Sequence, residues 1–300
     1  MEKPYLLHFA TPAARVSPFD VNMAYDAGWN AVIPYAGVTL EDMAGFTQDA
    51  IFSRGPKGAR RTGIFIGGRD ALLALDMLEA ASQAMVPPFQ VSVCADPSGA
   101  FTTAAALVAK VEQVLARVHG QTLDGRTLTL FGGTGPVGMM AALLAARAGA
   151  RVTLPGHDGL ERAQQAVDAL NARFGLDLLP ADASSTARRQ ALVADSEVLL
   201  ATAKAGVRVV DAADLAQATR LKVAADLNAV PPSGVEGLAP LDDGAPLAAA
   251  SGQAVGVGPL AVGNLKYRVQ QDLLRAMIEA DSPLLLGFAE CFAQARRHVA

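Results

Sequence analysis

The 300-residue sequence is poor in the side chains that build metal centres and disulfides. Its two cysteines, Cys94 and Cys291, lie far apart and have no metal-ligand spacing. That usage excludes a disulfide framework and suits a reducing compartment. None of the four histidines stands in an H-x-x-x-H arrangement, so no protein-built zinc site, and no metal, is expected. Charged residues are only 18% against 51% hydrophobic, which excludes a disordered chain. A net charge of -4 provides no long-range field for nucleic acid or an anionic membrane, and neither is an expected partner. No uncharged apolar run reaches the length of about 18 residues that a membrane span needs. Residues 1–15 lack the apolar core and cleavage site of a signal peptide, so a cytoplasmic protein is expected. There is no internal repeat and no low-complexity tract.

What is present is a two-part rhythm. The length favours two domains. Strand-like runs at 5–9, 31–35, 62–66 and 91–94 alternate with helical stretches at 18–26, 40–52, 70–85 and 102–118. Such alternation points to parallel βαβ units. A polar, glycine-bearing segment at 119–125 reads as a boundary, after which the pattern restarts. Strands are expected at 127–131, 151–154, 176–179, 197–202, 222–226 and 254–257, with helices between them. Six strands in this order fit a doubly wound dinucleotide-binding sheet of Rossmann type. A long helical pattern over 264–277 follows. The expected fold is therefore α/β in two domains. An N-terminal α/β substrate domain spans 1–120 and a Rossmann domain 121–262, and helices of 263–300 pack back on the first domain.

The most informative stretch is the strand-like 127–131 followed by Gly132-Gly133-Thr134-Gly135-Pro136-Val137-Gly138 and an apolar helix. A G-x-G-x-x-G stands there at Gly133, Gly135 and Gly138, in the strand–turn–helix setting the motif requires. The first glycine permits the tight turn, the second lets the backbone approach a pyrophosphate, and the third lets helix and strand pack closely. Pro136 fits the first helical turn, where a missing N–H costs nothing. The alternative is a glycine-rich turn without ligand. An NAD-specific site usually has an acid about 20 residues past the first glycine. Here residues 151–157 contain none, Asp158 comes late, and His157 and Arg162 tolerate a 2′-phosphate. NADP use or dual use is expected. Thr202 and Ala203 end the fourth strand, and Asp226 and Asn228 the fifth. Ligands in such sheets lie beyond these strand ends, although Thr202 and Asn228 also suit turn backbone.

In the first domain, Ser17-Pro18-Phe19-Asp20 has the form of a capping box, so Asp20 is either a cap or a ligand residue. Asp96 follows a strand and suits the amide and amino donors of a ligand. Thr102 is a ligand residue or a helix cap. No Tyr-x-x-x-Lys occurs, which disfavours short-chain dehydrogenase chemistry.

Longer matches span nearly the whole chain. They are 17–23 (SPFDVNM), 51–54 (IFSR), 61–68 (RTGIFIGG), 95–103 (ADPSGAFTT), 131–135, 156–159 (GHDG), 226–232 (DLNAVPP) and 256–267. On these pieces the sequence resembles the bacterial NAD(P)-dependent methylene-tetrahydromethanopterin dehydrogenases. The resemblance implies hydride transfer from methylene-tetrahydromethanopterin to NAD or NADP in the formaldehyde oxidation of methylotrophs. It also implies a pterin held between two domains and a homo-oligomer. Asp20, Asn22, Asp96 and Thr102 are then candidates for holding the pterin, and the resemblance favours Lys266 as a residue that orients it over a solvated surface lysine. NADP-specific relatives carry arginine at the position of His157, which favours dual use here. Two other readings remain open: a methylene-tetrahydrofolate dehydrogenase on the same scaffold, and a non-catalytic NADP-binding sensor.

Overall fold

A computed structural model describes residues 3–300. The chain forms two compact units: the part up to Thr102 with Lys266–Ala295, and Thr103–Leu265 with Arg296–Ala300.

The first unit opens with β1 (Leu6–Thr11), α1 (Pro18–Asp26), β2 (Ala31–Ala36), α2 (Met43–Phe52), α3 (Gly55–Ala59), β3 (Thr62–Ile66), α4 (Ala71–Gln83) and β4 (Ser92–Ala95). β3 is buried at every position, as a central parallel strand covered on both faces must be. Local chemistry sets the helix starts. The Ser17 hydroxyl accepts the Asp20 N–H at 3.4 Å ahead of Pro18, and the Asp70 carboxylate accepts the Leu72 and Leu73 N–H groups. The helix expected from residue 40 starts at Met43, because Asp42 closes a turn on the amide and hydroxyl of Thr39. Helix α5 (Ala100–His119) runs unbroken to His119. The division therefore falls inside this helix, and the glycine-bearing 119–125 is the turn after it.

The second unit contains β5 (Thr127–Phe131), α6 (Pro136–Arg147), β6 (Arg151–Gly156), α7 (Glu161–Phe174), β7 (Leu179–Asp182), α8 (Thr186–Asp195), β8 (Val198–Ala201), α9 (Ala212–Leu215), β9 (Val223–Asp226), β10 (Asp243–Pro246) and β11 (Val255–Val257). The sheet order is β10-β11-β9-β8-β5-β6-β7. Its six parallel strands have the 3-2-1-4-5-6 order of a Rossmann sheet counted from β5. β10, absent from the sequence reading, adds an antiparallel edge. The third strand corrects the expected 176–179. Gly175 ends α7 in the left-handed region at φ 64°, and the Asn171 side chain bonds both the N–H and the carbonyl of Leu178. Residues 176–178 are thereby held out of the sheet, and pairing begins at Leu179.

Helix α10 (Pro259–Glu279), longer than the expected 264–277, leads into β12 (Leu285–Leu286) and α11 (Phe288–Val299). β12 pairs parallel with β4, and the first unit's sheet is β12-β4-β3-β1-β2. Within that unit the Trp29 indole donates to the Leu274 carbonyl at 3.2 Å, and Gln271 donates to the Met23 carbonyl at 3.0 Å. These contacts fix the C-terminal part of α10 beside α1 and the turn that follows it.

Candidate functional site

In the second unit, a cavity of about 730 Å³ opens at the C-terminal ends of β5, β6 and β8. Its lining includes Gly132, Thr134, Gly135, His157, Asp158, Thr202 and Ala203. The glycines divide into two kinds. A Cβ at Gly132 would lie 2.5 Å from the Ala203 amide nitrogen, and Gly132 itself has φ +82°. A Cβ at Gly138 would lie 2.4 Å from the Gly132 carbonyl, and one at Gly133 would strike Leu154. These three positions are required by packing. A Cβ at Gly135 would meet only the Gly132 carbonyl, at 3.6 Å, so this position is open. Gly135 is also the N-cap of α6 and makes no side-chain cap bond. An open glycine at an uncapped helix start leaves backbone N–H groups and dipole for an anion. The residues present fit a dinucleotide pyrophosphate.

His157 and Asp158 follow β6 at the surface. The His157 Nδ1 is 3.9 Å from Asp158, whose other carboxylate oxygen lies 3.4 Å from Arg162 on the next turn. Ser184 and Ser185, just beyond β7, also line this cavity. The rule that ligands sit past strand ends points to them once the third strand is taken as Leu179–Asp182. Two expected cofactor residues are placed beside the cavity's loops and not in its lining. Asp226 is fully buried, and its carboxylate accepts the N–H groups of Asn228, Gly234 and Val235 at 2.9, 2.6 and 3.3 Å. Asn228 accepts from Gly206 and Val230 and donates to Pro232. Neither lines the cavity. Both are consumed in holding the loops after β8 and β9. Thr202 lines the cavity while its hydroxyl donates to the Phe131 carbonyl at 3.2 Å.

The first unit contains a second cavity, of about 640 Å³, bordered by the segments after β1 and β3 and by Ser98, Gly99 and Lys266. Asp20 and Lys266 line it. Gln270, one turn beyond Lys266 on α10, joins them: Lys266 Nζ donates to Gln270 Oε1, and Gln270 Nε2 donates to Asp20 Oδ1 at 2.7 Å. Burial raises the pKa of Asp20, against the Gln270 bond and the Lys266 charge. Burial lowers that of Lys266, against Asp96 and Asp20. The Lys266 ammonium also lies 3.9 Å from the centroid of the half-exposed Phe19 ring.

Three expected substrate residues are placed elsewhere. Asp96 is fully buried. Its Oδ1 accepts the Phe101 and Thr102 N–H groups at 2.9 and 3.1 Å, and its Oδ2 accepts the Thr102 hydroxyl at 2.6 Å. Aspartate and threonine thus satisfy each other and the start of α5. Burial pushes Asp96 up to about 6, while Lys266 and the Thr102 bond pull it down. Asn22 is exposed on α1 and is not part of the cavity lining. Sequence reading missed Thr11, Arg15, Arg69 and Ser98, which do line it. Ser98 has φ +52°, rare for a residue with a Cβ, and its hydroxyl donates to the Gly68 carbonyl at 2.7 Å. Among the described residues, no group of three or more His, Cys, Asp or Glu is placed to hold a metal, and no helix is long and apolar enough to cross a membrane.

A dinucleotide-ordered sheet with a glycine-rich, uncapped helix start, joined to a second parallel α/β unit, defines a dehydrogenase-type α/β protein. Quinate dehydrogenase from Corynebacterium glutamicum, solved in complex with NAD, shares this fold. It aligns over 97% of this chain and 98% of its own at TM-score 0.53 and 14% identity. A family model for the N-terminal part of methylene-tetrahydromethanopterin dehydrogenase matches residues 18–98. The NAD(P)-dependent methylenetetrahydromethanopterin dehydrogenase of Methylorubrum extorquens is 46% identical over 96% of this chain and 96% of its own length. A second Methylorubrum extorquens protein, the bifunctional protein MdtA, is 32% identical over 93% of this chain and 94% of its own. The chain belongs to the methylene-tetrahydromethanopterin dehydrogenase family.

Proposed function

We propose that this chain oxidises methylene-tetrahydromethanopterin to the methenyl form with NAD or NADP, as a cytoplasmic homo-oligomer of one-carbon metabolism. The observation that carries the reading is the full-length likeness to an enzyme of that name. In this reading the first unit takes the pterin and the second takes the dinucleotide.

The chemistry asks little of the side chains. The reacting carbon bridges two nitrogens, and a nitrogen lone pair stabilises the cation left when hydride departs. The nicotinamide, when bound, supplies the hydride acceptor. No proton moves in that step, so a general acid or base is dispensable. The protein's task is to hold the reacting atoms at about 3–3.5 Å and to favour the developing charge.

In the second unit, the backbone of Gly133, Thr134 and Gly135 and the first turn of α6 from Pro136 through Val137 to Gly138 hold the pyrophosphate. His157 and Asp158 meet the adenosine ribose, and Thr202 and Ala203 the nicotinamide side. In the first unit, Asp20 and Lys266 orient the pterin through hydrogen bonds. A bare ammonium would oppose a forming cation. The Asp20 carboxylate, tied to Lys266 through Gln270, offsets that charge. Purified protein given methylene-tetrahydromethanopterin and either nicotinamide is expected to show the absorbance rise of the reduced cofactor. No reduction of either would sink the reading.

A further inference from the structure

The mechanism above leaves two charges in the first unit's cavity unused. Three cations line it, Arg15, Arg69 and Lys266, against one carboxylate, Asp20. Lys266 and Asp20 are joined through Gln270. Arg15, between β1 and α1, and Arg69, between β3 and α4, are exposed, and among the described residues neither makes a hydrogen bond or ion pair. The carboxylate next in sequence, Asp70, turns its Oδ1 to the Leu72 and Leu73 amides, and among the described residues it makes no ion pair with Arg69. Arg69 is also held in place from behind. Its neighbour Gly68 has φ +116°, and the Gly68 carbonyl accepts the hydroxyl of Ser98, itself at φ +52°.

Two unpaired guanidiniums on separate loops of one cavity present planar donor forks suited to carboxylate or phosphate oxygens. The fused rings of a pterin are uncharged near neutral pH and offer such forks neutral acceptors but no anionic oxygens. At about 640 Å³ the cavity has room for more than the rings.

We propose that Arg15 and Arg69 form an anion clamp for a carboxylate or phosphate on the part of the substrate outside its rings. This deepens the proposed pterin reading and rests on it for the identity of the substrate. The clamp supplies uniform binding, and the hydride step does not use it. Its loss therefore raises KM and spares kcat.

The test uses R15Q, R69Q and the double variant. Charge-assisted hydrogen bonds of this kind predict a KM for the methylene-pterin about tenfold or more higher in the double variant. The value of kcat stays within about twofold and the KM for NAD(P) is unchanged, the pattern expected when uniform binding alone is lost. Inorganic phosphate and citrate are titrated calorimetrically into wild type and double variant, each saturated with NADP so that the second unit's pyrophosphate site is filled. Tighter binding of phosphate identifies a phosphate-bearing tail, and tighter binding of citrate a carboxylate-bearing one. Loss of either in the double variant supports the clamp. Equal anion binding in the two proteins, no anion binding to wild type, or an unchanged pterin KM would each overturn it. Should wild type fail to oxidise the pterin at all, the proposed function falls, and the calorimetry still decides the clamp.

Discussion

Gln270 Nε2 donates to Asp20 Oδ1 at 2.7 Å, joining α10 to the start of α1 beneath the first unit's cavity. Gln270 is buried, so this bond has little competition from water. It stabilises the ionised form of a carboxylate whose pKa burial raises. Removing it in Gln270→Leu moves the Asp20 pKa further up. The expected profile of kcat/KM then has an acid limb from Asp20 that shifts to higher pH in the variant. An alkaline limb from Lys266 falls below the usual lysine range, because burial lowers its pKa. No proton moves in the hydride step, so kcat is expected to change across these limbs only by the modest electrostatic effect of the Asp20 and Lys266 charges on the forming cation. A kcat that fell about tenfold per pH unit along either limb, as for an essential acid or base, would contradict direct hydride transfer.

The glycines of the dinucleotide loop separate fold from binding. Gly132→Ala places a Cβ 2.5 Å from backbone at Ala203 and forces a strained φ of +82°, so the protein is expected to lose several degrees of Tm or fail to fold. Gly135→Ala meets nothing nearer than 3.6 Å, so Tm is expected to be unchanged. Its methyl group projects where a pyrophosphate must approach, and dinucleotide affinity is expected to fall about tenfold or more. Thermal melts and fluorescence titration with NADH and NADPH read the two effects. A Gly135→Ala protein with unchanged affinity would remove the pyrophosphate from this loop.

The parts of this molecule that sequence made legible are those with a local signature. The Ile64-Phe65-Ile66 run of β3 marks a central parallel strand, and the glycines after β5 mark a dinucleotide turn. Asp96 shows where such reading stops. A carboxylate after a parallel strand serves equally well as a ligand group or as the acceptor for the following helix, and only burial separates the two. Asp226 and Asn228 present the same ambiguity, since their side chains bond the loops after β8 and β9. β12 has two residues and no periodicity, and its pairing with β4 depends on a chain segment nearly 200 residues away in sequence. Arg15 and Arg69 carry no spacing signal, since they meet one cavity only because β1 and β3 are neighbours in the sheet.

The Asp96–Thr102 pair predicts an unusual dependence of stability on pH. The folded-state pKa of about 6 is above the ordinary 3.8. The corresponding stability is fully present below about pH 3.8 and is lost as pH rises through about 6, a difference of about 3 kcal/mol. Thr102→Val removes a bond to the ionised form and is expected to cost about 1–3 kcal/mol near pH 7 and less at pH about 5, where Asp96 is largely protonated. Urea titrations of wild type and variant at the two pH values test this. An equal loss at both would mean that the Thr102 bond does not depend on the charge of Asp96.

The second unit carries the opposite sign. Glu197 is buried at the start of β8. It accepts from Lys222 at 2.7 Å, from Arg126 at 2.9 Å and from the Thr127 amide at 3.1 Å. Burial alone would raise its pKa, but the bonds from Lys222, the Thr127 amide and Arg126 outweigh it and hold the group at about 2, below the ordinary 4.5. Its stabilisation of about 3 kcal/mol is present above about pH 4.5 and is lost as pH falls towards 2. Asp96 favours the first unit over that same range, so the second unit is expected to unfold first in acid. The sequence has a single tryptophan, Trp29, buried in the first unit. On acid titration the far-UV circular dichroism should therefore decline before Trp29 emission shifts to the red. Glu197→Gln, which leaves Lys222 and Arg126 without their shared carboxylate, should bring that first loss to higher pH and destabilise the unit by about 3–5 kcal/mol. If Trp29 emission moved first, Glu197 would not be the group that sets the acid limit of this fold.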